Sequence, residues 1–111
     1  MKLLSRIEEM VLLSILKLEE NAYGVTIRKL ISEITGKKWS IGAIYVPLER
    51  LEHKGFVESY TGDPTEMRGG RSKRMYKVTR EGFKALEEIN KLHKTFWESY
   101  ADWALEKGES E

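Results

Sequence analysis

Residues 68–80 carry Arg68, Arg71, Lys73, Arg74, Lys77 and Arg80 with no acidic residue among them, in a chain whose formal net charge is only +1. Six cations so concentrated are a local feature. Their chemistry is non-covalent: guanidinium and ammonium groups attract the phosphates of a polyanion. Gly69 and Gly70 sit between the first two arginines, where a missing β-carbon lets the backbone approach a ligand closely or enter a minor groove. Arg68, Gly69, Gly70, Arg71, Lys73 and Arg74 are therefore expected to clamp a phosphate backbone. The plain alternative is a solvated basic loop.

A second group of candidates lies upstream. Ser40 can cap a helix and also offers a hydroxyl at a helix N-terminus, a place that suits phosphate. Gly42, Ala43, Val46 and Arg50 fall on the outward side of that helix and are candidates for contact with a DNA groove. With so few long polar side chains there, base reading should be sparse, and apolar contact with thymine methyl groups and DNA shape should carry a larger share. Tyr45 lies at the edge of the apolar stripe, where it could pack, donate its hydroxyl to a phosphate, or do both.

A third group is aromatic. Phe96, Trp97, Tyr100 and Trp103 cluster near the C-terminus, preceded at helical spacing by Ile89 and His93. They read as a dimer seam, or as the walls of a flat-sided pocket at a dimer centre that admits an apolar small molecule. His53 and His93 are the only histidines and cysteine is absent, so no metal site, cofactor or disulfide is expected. No nucleophile–base pair, phosphate-cradling loop or carboxylate pair stands out, and the chain is not expected to be an enzyme.

The elements that must hold these groups follow from periodicity and caps. Ser5 and Glu8 form a capping-box signature for a helix to about Leu18. Its leucines widen the apolar stripe, so it should be central and buried on much of its circumference. A second helix should run from about Gly24 to Thr35, with Gly36 taking the left-handed conformation that ends it. Ser40 caps a third over about Ile41–Lys54, with Ile44, Leu48 and Leu51 inward. Pro47 in its interior should cost about 3 kcal/mol and kink it or loosen its first turn. Strands at Phe56–Thr61 and Arg74–Thr79 flank a loop of about a dozen residues, long enough to suggest a function. Thr79 then caps a long helix over about Arg80–Lys107. Phe83, Leu86, Ile89, His93, Phe96, Tyr100 and Trp103 repeat along it with a mean period near 3.5, which asks for a partner helix. Three helices, a hairpin and a long terminal helix describe a mainly α (α+β) winged helix-turn-helix. In that fold the third helix enters the major groove and the hairpin lies on the backbone.

At 111 residues the chain should form one compact domain: a winged-helix part over 1–79, a dimerisation helix over 80–107 and a disordered tail at 108–111. The longest apolar run, Met10–Leu13, is too short to span a bilayer. No signal-peptide pattern is seen, so a cytoplasmic location is expected. Glu98, Asp102, Glu106, Glu109 and Glu111 face a single Lys107 after Phe96, placing the acidic end apart from the basic loop.

Residues Ser40–Val57 and Arg68–Gly82 together resemble the PadR family of transcriptional regulators. Leu48, Leu51, Glu52 and Gly55 match its L-x-x-L-E-x-x-G segment, which follows a tyrosine in the recognition helix. Gly69, Gly70, Arg71, Tyr76, Val78, Thr79 and Gly82 match its G-G-R-x-(R/K)-x-Y-x-(L/V)-T-x-x-G wing, and Tyr23-Gly24 also fits. The resemblance extends over about residues 5–105. Many members carry threonine where this chain has Ala43, and proline directly after the tyrosine where it has Val46; both differences fall on the helix that faces the bases and bear on the operator sequence. The resemblance implies a homodimer that binds a pseudo-palindromic operator in double-stranded DNA. It also implies repression relieved by a small-molecule or stress signal, and the short length is similar to the compact subgroup that dimerises through one C-terminal helix. A protein-interaction adaptor, its basic wing meeting an acidic protein surface, is the competing expectation, motivated by the near-neutral charge and the sparse polar side chains of the third helix.

Overall fold

A computed structural model of the chain describes residues 3–62 and 73–108. Helix α1 spans Arg6–Leu18, α2 Gly24–Thr35, α3 Ile41–His53 and α4 Arg80–Trp103, with strands β1 (Val57–Thr61) and β2 (Arg74–Val78) between α3 and α4. A short 3-10 turn at Glu19–Asn21 joins α1 to α2. This is the winged helix-turn-helix that the sequence pattern implies.

Local chemistry explains the boundaries. Ser5 Oγ accepts the Glu8 amide at 3.2 Å while Glu8 Oε1 accepts the Ser5 amide at 2.9 Å, a closed capping box. Ser40 Oγ accepts the Ala43 amide at 3.1 Å and Thr79 Oγ1 the Gly82 amide at 3.1 Å. Gly36 ends α2 with φ of 67°, a conformation a side chain rarely tolerates. Each cap satisfies an N–H or fixes a carbonyl that would otherwise lack a partner.

Val11, Leu12, Ile27, Ile31, Ile44, Leu48 and Leu51 form the centre of the core, contributed by α1, α2 and α3. The antiparallel hairpin closes one side through Val57 and Tyr76, in the register Val57↔Val78 to Thr61↔Arg74. Met75 forms an additional bridge to Tyr23, and the Tyr76 amide donates to the Ala22 carbonyl at 2.9 Å. The hairpin is thus tied to the start of α2, a link that alternation of residue types does not signal. Gly82 seats α4 on the hairpin: a β-carbon there would run into the Phe56 carbonyl and Val78.

The helices differ from these expectations in detail. The third helix runs unbroken through Pro47, and its first turn keeps the Ser40 cap. Pro47 lies one turn from Ile44 on the inward face and is buried, so ring packing offsets part of the lost hydrogen bond. Helix α1 is central as expected, with only Arg6, Leu13 and Lys17 of its thirteen residues exposed; Leu13 and Ile34 of α2 border an apolar groove left open between the two helices. Finally, α4 ends at Trp103, and Ala104–Gly108 form a π-helical turn where regular α-helix was expected.

The long helix divides in two. Gly82, Ala85 and Ile89 are buried and Leu86 and Leu92 partly so, packed against the protomer's own core. From Lys94 to Trp103 every residue is exposed. This distal part gives the chain extents of 61 × 30 × 21 Å. The single seam read from the 3.5 period is therefore two stretches, one covered by the protomer's own core and one exposed, and Phe83, assigned to it, is 47% exposed.

Candidate functional site

Helix α3 carries an inward stripe and an exposed ridge. Ser40 and Gly42 are exposed at its start, Ala43 is half-buried, Tyr45 is 40% exposed and Val46 55%. Nothing lies within 4 Å of where a β-carbon on Gly42 would sit, so the space above that turn is open. A groove between α3 and β2 is lined by Tyr45, Val46, Glu49, Arg50, Arg74 and Tyr76. The helix ridge and the outer part of β2 therefore share one face.

Tyr45 owes its position to Gly24. A β-carbon at residue 24 would stand 2.5 Å from the Tyr45 hydroxyl oxygen, so the glycine at the start of α2 is what lets the ring lie there. Replacing Gly24 by alanine is expected to push the ring aside, while alanine's better helix propensity keeps the stability change under about 1 kcal/mol. Tyr45 ring resonances that stay in place in the Gly24→Ala variant would show that the contact does not exist.

The cations of α3 and the hairpin are not equivalent. Lys73 places Nζ 4.4 Å from the centre of the Tyr23 ring and 3.4 Å from its hydroxyl, which holds an ammonium at the loop end of the hairpin. Arg74 is exposed, yet its Nη2 donates to both oxygens of Glu52 at 2.9 and 3.1 Å. Glu52 also accepts the Ser59 hydroxyl at 2.6 Å; that bond, then those from Arg74, hold its carboxyl below the ordinary carboxylate range. The pairing bolts α3 to the hairpin and occupies part of Arg74. Arg50 likewise directs Nε to Glu8 Oε2 at 3.3 Å, with 47% of its side chain still exposed. Arg68, Gly69, Gly70 and Arg71 lie outside the described residues, as do residues 109–111 of the expected disordered tail.

Sequence reasoning missed the groups that hold these cations and a further basic pair. Glu8 holds Arg50, Glu52 holds Arg74 and is itself held by Ser59, and Tyr23 supports Lys73. Lys37, Lys38 and Trp39 precede the Ser40 cap; Lys37 stacks on Trp39 at 5.0 Å, and Trp39 Nε1 donates to Thr35 Oγ1 at 2.9 Å. Two adjacent lysines directly before a helix cap were a readable signal for this last group.

The aromatic candidates separate. Ile89 is 8% exposed and packs in the protomer core. His93 Nε2 lies 3.1 Å from Glu9 Oε1 of α1, so it also faces inward. Phe96, Trp97, Tyr100 and Trp103 are 72%, 64%, 52% and 52% exposed. Trp97 and Tyr100 meet edge to face with centroids 5.2 Å apart, and Tyr100 and Trp103 lie 6.1 Å apart. Among the described residues no three acidic or histidine side chains gather as metal ligands, and no helix is long and apolar enough to cross a membrane.

The model of the transcriptional regulator PadR-like family matches residues 12–88. No curated protein matches the chain. Among solved structures, a PadR family transcription regulator from Clostridium difficile R20291 is similar at 26% identity and a TM-score of 0.68, covering 91% of this chain and 99% of that one. RosR from H. salinarum is similar at 27% identity and a TM-score of 0.60, covering 86% and 76%. A PadR family transcriptional regulator from Eggerthella lenta DSM 2243 shares the fold at 23% identity and a TM-score of 0.66, over 85% and 80%.

Proposed function

We propose that this chain, which belongs to the PadR-like family of transcriptional regulators, acts as a homodimer that binds a pseudo-palindromic DNA operator. The observation that carries the reading is the shared face: the exposed ridge of α3 and Arg74, at the loop end of the hairpin, border one groove. A helix of this width fits a major groove, and a hairpin beside it reaches the flanking phosphates. Gly42 and Ala43 allow close approach, Val46 offers an apolar contact for a thymine methyl, and Ser40 and Tyr45 bring hydroxyls to phosphates. Lys73 and Arg74 extend the contact to the backbone, and on the sequence alone Arg68, Gly69, Gly70 and Arg71 continue it.

In this reading α4 is the dimerisation helix. Its exposed aromatics pair with those of a second copy, and the two recognition helices then lie about one DNA turn, roughly 34 Å, apart. The regulation is repression in the cytoplasm. An apolar small molecule or stress signal acting between the paired helices relieves it by favouring one spacing over another. No catalytic step is assigned to the chain.

The test is fluorescence anisotropy with duplex DNA from upstream of its own coding region. Saturable, sequence-preferring binding is expected. Lys73→Ala should weaken binding to all sequences alike and lower the slope of log affinity against log salt by about one, since one phosphate contact is lost. Absence of saturable binding at low salt, up to high protein concentration, defeats the DNA reading and favours a protein-binding adaptor.

A further inference from the structure

Glu8 is 3% exposed and, with Ser14, one of two buried polar residues among those described. Its Oε1 completes the α1 capping box. Its Oε2 does something a cap does not need: it accepts Lys54 Nζ at 2.8 Å and Arg50 Nε at 3.3 Å, both from the far end of α3. An apolar residue would join two helices without the cost of dehydrating a charge. The cap accounts for Oε1, but the reach of Oε2 to α3 calls for its own explanation.

Arg50 supplies it. Its guanidinium is planar, with donors along fixed edges. The Nε edge is committed to Glu8, while 47% of the side chain is exposed in the α3–β2 groove. Among the described residues Glu8 is the only protein partner of that guanidinium. The terminal Nη1 and Nη2 therefore remain without a protein partner among the described residues, on a guanidinium tethered through Nε. A guanidinium fork tethered in this way matches the paired O6 and N7 acceptors of guanine in a major groove.

We propose that Glu8 is a specificity-determining positioning residue, anchoring Arg50 so that its terminal guanidinium edge reads a guanine in the operator. The role rests on the DNA reading above. Lys54 shares the carboxylate, with 26% of its side chain exposed, and leaves the remaining charge of the cluster positive on the α3 side. Without Glu8, Arg50 becomes a flexible cation able to meet any phosphate.

The experiment uses the full chain, an operator enriched by the wild type from a randomised duplex pool, and poly(dI-dC) as the nonspecific competitor. Glu8→Gln is expected to lower the ratio of specific to nonspecific affinity about tenfold, the scale of one bidentate base contact. The salt slope of nonspecific binding should steepen by about one. A purely structural role would weaken both kinds of binding together and leave the ratio unchanged, which overturns the proposal. Arg50→Lys, on an exposed side chain, keeps the charge and loses the fork, so it should reproduce the tenfold fall without a folding defect. Adding Glu8→Gln to Arg50→Lys should lower the ratio no further; an additive fall also overturns the proposal. In the free protein the Arg50 Nε–H should exchange slowly with solvent and become labile in Glu8→Gln. Rapid exchange in a wild type that does enrich an operator defeats this role alone, whereas a wild type that enriches no sequence defeats the DNA reading and this role with it.

Discussion

Acidifying the protein from neutral pH toward 2 is expected to remove about 3 kcal/mol of folding stability through Glu8 alone. Burial works to raise the Glu8 carboxyl, but hydrogen bonds from Lys54, the Ser5 amide and Arg50 outweigh it and hold the group at about 2, against an ordinary value of 4.5. A folded-state value below the unfolded one means that the fold binds the ionised form preferentially. The stabilisation is therefore complete above 4.5 and is lost as the pH falls through that value toward about 2. Glu52 shifts in the same direction, so a wild-type curve by itself overstates the effect of Glu8. Denaturant titrations of wild type and Glu8→Gln over a pH series isolate it. The wild type should be the more stable at neutral pH, with the gap closing toward about 2; a gap that stays constant across the series sinks the assignment.

The same carboxylate shows what a sequence makes legible. Ser5 with Glu8, Ser40 and Thr79 all announce their helices because a cap is a local device, spanning three residues and one kind of hydrogen bond. The second partnership of Glu8 joins residues 42 and 46 positions apart, and Arg74 reaches Glu52 across 22. Spacing rules for helices extend only to neighbours three or four apart, so no periodicity could reveal these pairs. They turn candidates read as free cations into held ones. Arg50 and Arg74 were legible as members of the face, but the direction in which each side chain is pinned was not.

The long helix teaches a related lesson about burial. An apolar repeat says that something covers a face without saying what. Leu86 and Ile89 satisfy the repeat by packing in the protomer core, and His93 by meeting Glu9, while Phe96 and its successors satisfy it with nothing inside the protomer. Pro47 shows the converse. Its propensity argues against a helix interior, but its side chain lies on the inward stripe, and tertiary packing decides such contests more often than propensity does.

Placing a charge in that uncovered aromatic surface is expected to separate the proposed dimer. Trp97 is 64% exposed in the protomer and Phe96 72%, so Trp97→Glu leaves the winged-helix core untouched and its melting behaviour as a folded protomer intact. Aromatic side chains bury about 150–250 Å² each when covered. Phe96, Trp97, Tyr100 and Trp103 together thus approach the roughly 800 Å² per partner of a standard interface. Inserting a carboxylate there strands an unpaired charge, beside Glu98 and Asp102, which already make this segment acidic. Sedimentation should show the wild type as a dimer and the variant as a monomer at the same concentration. Operator affinity should fall by about a hundredfold or more, because two half-sites joined on one molecule bind with an avidity that a single half-site lacks. Affinity for an isolated half-site should hardly change. A variant that sediments as a dimer would place the interface elsewhere on the chain, and a monomer that keeps full operator affinity would remove the twofold reading of the DNA.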